Sequence, residues 1–272
     1  MKCNSKAFTI IELLVVAGII FILASLLLSS LSISKEQGRR IVCLNNLKNL
    51  QLAWLVYTND NEGKVVNNNI NYPIQYNWVQ GTLAFNVEDN TNIFLLVEYE
   101  NSMLGRYTQN YKIYKCPSDR SISIHSGKKH QRVRSYSLNH WIGGEEIESG
   151  PFRQSVYPFK VFKKIDSFTQ PSNIFTFIDE LSDSIDDGQF MTDMTGRALN
   201  DKYSYIIYNF PAFSHNKRGA FAFIDGHVEN HKWVDFRTIS YLYNKDGKLV
   251  RPINHYLSKD VEFLMEHATE NE

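Results

Sequence analysis

The sequence predicts an α+β fold, with a long N-terminal helix followed by a head of short strands and turns. Three observations carry this. Leu13 to Ser34 contains no charged residue. Cys43, Leu47, Leu50, Trp54 and Tyr57 then recur at spacings of four and three, one face of a helix. Further on, short apolar runs alternate with turn formers, and Asp225-Gly226 sits between two of them.

The bulk numbers bound the reading. The 272 residues fit one domain of about 200 residues plus an anchor, or two small domains. Apolar residues make up 43% and charged residues 21%, ordinary for a folded chain. Lys and Arg total 29 and Asp and Glu total 29, so no basic field points to nucleic acid and no acidic tail to a charged partner. The 15 Tyr and 17 Phe suit β-structure better than a helical bundle.

The apolar run comes first. Its 22 residues span roughly 33 Å as a helix, enough to cross a bilayer. A buried soluble helix would show a polar face, and here only scattered serines interrupt the run. A secretory signal peptide fits poorly, because Lys35-Glu36-Gln37-Gly38-Arg39-Arg40 follows without a small-residue cleavage site. Lys2 and Lys6 flank one end and Lys35, Arg39 and Arg40 the other, so positive charge does not fix the orientation. Glu12 stands almost at the start of the run, where a carboxylate costs a few kcal/mol unless it reaches the headgroups or finds a partner.

Ala7-Phe8-Thr9-Ile10-Ile11-Glu12-Leu13-Leu14-Val15-Val16 resembles the cleavage signal of type IV prepilins and type II secretion pseudopilins. The resemblance implies that a prepilin peptidase cuts between Ala7 and Phe8 and methylates the new amine of Phe8. It also implies that Glu12 pairs with the N-terminus of a neighbouring subunit during assembly. The family usually has Gly where Ala7 stands, and Ala is also small.

Beyond the charged flank the helix is expected to continue as an amphipathic segment, with Asn45, Lys48 and Asn49 opposite the apolar stripe. It should end near Thr58-Asn59-Asp60-Asn61-Glu62-Gly63, whose spacing fails the EF-hand pattern. Of the three cysteines, Cys3 would be removed by the cleavage that the resemblance implies. Cys43 and Cys116 remain beyond the membrane segment, where a disulfide would persist, and a bridge between them is expected, two buried thiols being the alternative. Two cysteines alone do not make a zinc site.

In the head, Tyr111–Lys115, Arg134–Leu138 and Asn173–Asp179 read as strands. Phe221–Ile224, the Asp225-Gly226 turn and His227–Val234 read as a hairpin. Asp183–Asp201 and Asn67–Asn71 read as polar surface loops, and no repeat is evident. The segments around Cys43, Cys116-Pro117-Ser118-Asp119, Ser135–Asn139 and Phe177-Ile178-Asp179-Glu180 occur in order, followed by His215, nine residues and Asp225-Gly226-His227. This is similar to prepilin-type proteins with a C-terminal His-x9-Asp-Gly processing-associated domain. The resemblance implies a pilin-like fold, with the long helix packed on an antiparallel β-sheet head. The corresponding division is a leader over residues 1–7, an assembly helix over 8–34, its amphipathic continuation over 35–62 and a head over 63–272.

Asp179, His215, Asp225, Gly226 and His227 are the motif residues with a structural or ligand role. His215 and Asp225 could close the hairpin as a hydrogen-bonded pair. In a strand His227, Glu229 and His231 share one face, which is either a solvated polar face or a weak divalent-metal site. No cofactor is expected beyond that option. Catalysis has little support: there is no Gly-x-Ser-x-Gly elbow, dinucleotide fingerprint or phosphate loop, and Ser214 and His215 would point to opposite faces of a strand. Lys128–Arg134 reads as a solvated basic loop.

The expected function is a prepilin-like, non-enzymatic structural subunit or accessory of a type II secretion or type IV pilus-like system. Its partners would be other pilin-like subunits, the prepilin peptidase and membrane lipid, with no nucleic acid. It would be a single-pass inner membrane protein with its head in the periplasm or outside the cell. The alternative is a membrane-tethered binding module for a glycan or another extracellular substrate.

Overall fold

The computed structural model describes residues 9–68, 77–83, 85–144, 159–240, 243–245 and 248–271. Helix α1 runs unbroken over Ile10–Asp60, 51 residues, or about 77 Å. Thr9 opens it as a capping box: its side chain accepts from the backbone of Glu12, whose carboxylate accepts from the Thr9 N–H and hydroxyl, both at 2.8 Å. The membrane and amphipathic segments expected from the sequence are therefore one element. Up to Ser34 the side chains described are exposed on every side except Ala17, which is half-buried. From Cys43 onward the predicted stripe is buried, with Cys43, Leu47, Leu50 and Trp54 fully so. Lys48 departs from its expected outer position and donates to the Gly226 carbonyl, so it leans on the hairpin turn. The helix ends where expected, as Glu62 and Gly63 take the left-handed conformation and Gly63 N–H bonds back to Thr58.

Two single turns, α2 (Phe94–Val97) and α3 (Gly105–Thr108), lead into the head. Its strands are β1 (Ile122–His125), β2 (Lys128–Gln131), β3 (Tyr136–Asn139), β4 (Phe175–Asp179), β5 (Gln189–Phe190), β6 (Ile206–Ile207), β7 (Arg218–Phe223), β8 (Val228–Lys232) and β9 (Ile253–Asn254). A short turn, α4 (Thr195–Ala198), precedes β6, and α5 (Lys259–Ala268) lies near the C-terminus. The main sheet has the order β5-β3-β4-β7-β8 and is antiparallel apart from the β3–β5 edge. The fold is α+β.

The sheet lies between two cores because its strands alternate. Tyr136, Leu138, Phe177, Ala220 and Ala222 join the α1 stripe, while Ile178, Phe221 and Phe223 join α5 through Val261, Leu264 and Met265. Alanines at 220 and 222 leave room for α1 to lie close on β7. A register shift between Phe175 and Phe177 puts Phe175 in the α5 core, although simple alternation would keep it with Phe177. Downstream of the shift, Asp179 follows Phe177 onto the face that meets α1, and its carboxylate lies 3.9 Å from Cys43 Sγ.

Four expectations in the head are corrected. Tyr111–Tyr114 is a 3-10 turn rather than a strand, because the Asn110 side chain accepts from Lys112 N–H and tightens the backbone. The Asp225-Gly226 hairpin is real, but its loop has three residues, Ile224 to Gly226. Gly226 N–H bonds Phe223 O, and Gly226 has φ +92°, the bulge geometry that glycine permits. Residues 183–201 are not a surface loop: Ser184, Ile185, Phe190 and Met194 are buried, and Gln189–Phe190 extends the sheet. The basic stretch is not wholly solvated either. Lys128 and Lys129 are exposed on β2, but Arg132 and Arg134 are buried and donate to the carbonyls of Leu83, Ser182, Tyr136 and Asp187. Within the other predicted loop, Asn68 is buried and donates to Leu138 and Asn139 carbonyls, while residues 69–71 lie outside the described residues.

His255 supplies a pH test of the head. It is fully buried, and neither ring nitrogen has a hydrogen-bond partner among the described residues. Burial first, then the Arg237 charge, push its pKa down to about 4, with Asp235 pulling the other way. An unfolded histidine titrates near 6.5, so the contribution of His255 is complete above that pH and drains away as pH falls toward 4. The stability gap between the wild type and His255→Leu should therefore change by on the order of 3 kcal/mol between pH 7 and pH 4. Denaturant melts of both proteins at several pH values check this, and parallel curves would contradict it.

Candidate functional site

Two parts of the molecule hold the candidate residues. The first is the N-terminal end of α1. Glu12 is present there as an exposed cap of its own helix, and Ala7 and Phe8 lie outside the described residues. The second is buried where α1 first meets the head. Cys43 reaches it from α1, Cys116 from the turn after residues 111–114, Asp179 from the end of β4 and His215 from the loop before β7. All four are buried, and their ligand atoms lie within 4.8 Å of one another.

The contacts inside this cluster are specific. Cys116 Sγ is 3.1 Å from His215 Nε2. Tyr136 donates its hydroxyl to Cys43 Sγ at 3.2 Å. Ser135 Oγ donates to Asp179 Oδ1 at 3.1 Å and accepts from Cys116 N–H at 2.8 Å. On its far side, His215 Nδ1 lies 3.0 Å from Glu36 Oε1, and Ser118 donates to the same oxygen at 2.8 Å. Arg39 closes the shell on Glu36 Oε2 at 3.2 Å.

Electrostatics follow from this enclosure. Burial pushes Asp179 up to about 7 and raises Cys43. Cys116 is raised by its hydrogen bond to Cys43 and by burial. Burial lowers His215, against the pull of Glu36. For Glu36 burial acts upward, but the hydrogen bonds from Ser118, His215 and Arg39 outweigh it, so its carboxyl sits below the usual range. Enclosure therefore opposes charge on Asp179 and the two thiols, beside a Glu36 carboxyl that its hydrogen bonds hold down.

The expected Cys43–Cys116 disulfide is absent. Both are free thiols, each held by a hydrogen bond to a group other than cysteine. His215 and Asp225 do not pair: His215 takes Cys116 and Glu36, while Asp225 accepts from the backbone of His227 and lies against its ring. His227, Glu229 and His231 do not gather into a ligand cluster. His227 stacks on Phe223 at 4.2 Å and His231 on Phe263 at 3.6 Å, so their rings act as packing surface. Gly226 serves the turn.

Sequence reasoning found Cys43, Cys116, Asp179 and His215 as residues and expected the two cysteines to meet, though as a disulfide; it did not bring Asp179 and His215 to them, and it assigned no role to Glu36, Ser118, Ser135 and Tyr136. One signal was available: all four cluster residues fall in the ordered motif segments, and Asp179 is an acid at the end of a buried apolar run. Comparison with known proteins identifies no relative, as no family model, curated protein or solved structure matches the chain.

Proposed function

We propose that this chain is a pilin-like, membrane-anchored subunit or accessory of a type II secretion or type IV pilus-like assembly, with its head outside the cytoplasm. The observation that carries the reading is α1: one helix whose first half exposes apolar side chains all round and whose second half is built into the head. The first half is long and apolar enough to cross a membrane. A rigid connection of this kind suits a subunit that packs through its helix, because movement of the anchor is transmitted to the head.

Glu12 would be the assembly residue. In the single chain its carboxylate is satisfied by Thr9. In an assembly that contact would give way to the amine of a neighbour's Phe8, freed by a prepilin peptidase. The alternative, a glycan-binding head, gains nothing from the aromatics best suited to sugar stacking, since all four tryptophans are buried.

Replacing Glu12 by Ala tests the proposal. Crosslinked oligomers of the membrane-embedded protein are expected to fall at least tenfold, while the head melts at an unchanged temperature. Oligomers that form equally well from Glu12→Ala would remove the assembly role.

A further inference from the structure

We propose that Cys43, Cys116, Asp179 and His215 hold a zinc ion in a closed site that fastens α1 to the head. The donor set is two sulfurs, one imidazole nitrogen and one carboxylate oxygen. Thiolate and imidazole favour zinc over calcium or magnesium, and four protein ligands with no open position describe a structural site rather than a catalytic one. Zinc bonds of about 2.0–2.3 Å place tetrahedral ligand atoms roughly 3.3–3.8 Å apart. The four atoms here already lie within 4.8 Å of one another, so a small contraction suffices.

The surroundings are arranged as a metal site needs them. Glu36 accepts the Nδ1 proton of His215, which leaves the Nε2 lone pair facing the sulfurs. Ser118 and Arg39 hold Glu36 in place. Ser135 occupies Asp179 Oδ1 and leaves Oδ2 directed at Cys43. The Tyr136 hydroxyl supports Cys43 Sγ. A surface groove whose lining includes Val42, Asn46, Cys116 and Pro117 reaches the Cys116 side of the cluster. A disulfide would use both sulfurs and leave a buried carboxylate and imidazole with nothing to ligate, whereas a divalent cation engages all four groups at once. On binding, the two thiols and any protonated Asp179 carboxyl lose their protons to solvent, and the ion offsets two of the three resulting ligand charges.

The test uses the full chain in detergent. Elemental analysis of protein purified without added chelator should find about one zinc per chain. Its two buried thiols should react with a thiol reagent only after a strong chelator is added. Cobalt(II) chloride added to the stripped, reduced protein should produce the thiolate-to-cobalt charge-transfer band and the intense visible bands of a tetrahedral ion. Glu36→Gln should weaken zinc binding roughly 10- to 100-fold, and Asp179→Asn should weaken it too. His231→Ala should bind zinc as the wild type does. If a variant fails to fold, the strip-and-reload cycle on the wild type still decides. A Cys43–Cys116 bridge in the unreduced protein, or a reduced protein that gives no charge-transfer band with cobalt, overturns the proposal.

Discussion

Replacing Leu23 and Leu27 together by Arg is expected to move the full chain from the membrane fraction to the soluble or aggregated fraction. The argument rests on magnitudes. Leu13 to Ser34 carries 14 Leu, Ile, Val and Phe residues. At about 0.3–0.6 kcal/mol each, they favour insertion by roughly 4–8 kcal/mol. An Arg near the centre of a spanning helix costs about 2.5–3.5 kcal/mol and also removes a leucine. Two such changes therefore cost roughly 7 kcal/mol, comparable to the whole driving force. Both positions are exposed in the single chain, at 55% and 71%, so the head should remain folded. Membrane flotation, with a head-specific melt as the control, checks this. A double variant that still floats with the lipid would show that the segment is held there by something other than its own hydrophobicity.

Phe221→Ala should have the largest effect on folding, about 3–5 kcal/mol of lost stability. Phe221 is completely buried at the centre of the α5 core. Its ring meets Phe175 at 5.5 Å, Trp233 at 5.9 Å and Phe263 at 5.5 Å, all at steep interplanar angles. Truncation removes the transfer free energy of the ring and leaves a cavity that three aromatic neighbours cannot collapse to fill. Phe236 is 70% exposed, so Phe236→Ala should change stability by no more than about 0.5 kcal/mol. Denaturant melts of the two variants should differ by several kcal/mol, and equal midpoints would mean that Phe221 is not the centre of that core.

The long helix and its two characters were legible because their signals are local. A charge-free run and a spacing of three and four residues depend only on the periodicity of one element. The same holds for Phe175–Asp179 and for the Asp225-Gly226 turn. The failures came where a side chain or a distant segment overrode local pattern. Alternation at Tyr111–Lys115 suggested a strand, but one Asn110 hydrogen bond folds the segment into a 3-10 turn. Polarity at residues 183–201 suggested solvent, but the sheet edge at β3 and the Glu180–Ser184 hydrogen bond draw the segment inward. Arg132 and Arg134 looked like surface charge, yet backbone carbonyls satisfy them inside.

The buried cluster separates the two sources of information most clearly. The sequence by itself determined that α1 would be a single amphipathic lever behind an apolar run, because helix periodicity and hydrophobicity are written residue by residue. It also supplied Cys43, Cys116, Asp179 and His215. Only the tertiary structure decided that these four face one another. Cys43 and Asp179 are 136 positions apart and Cys116 and His215 are 99 apart, so no spacing rule connects them. They meet because Asp179 follows Phe177 onto the face of β4 that packs on α1, and the close approach of α1 to the sheet places Cys43 opposite it.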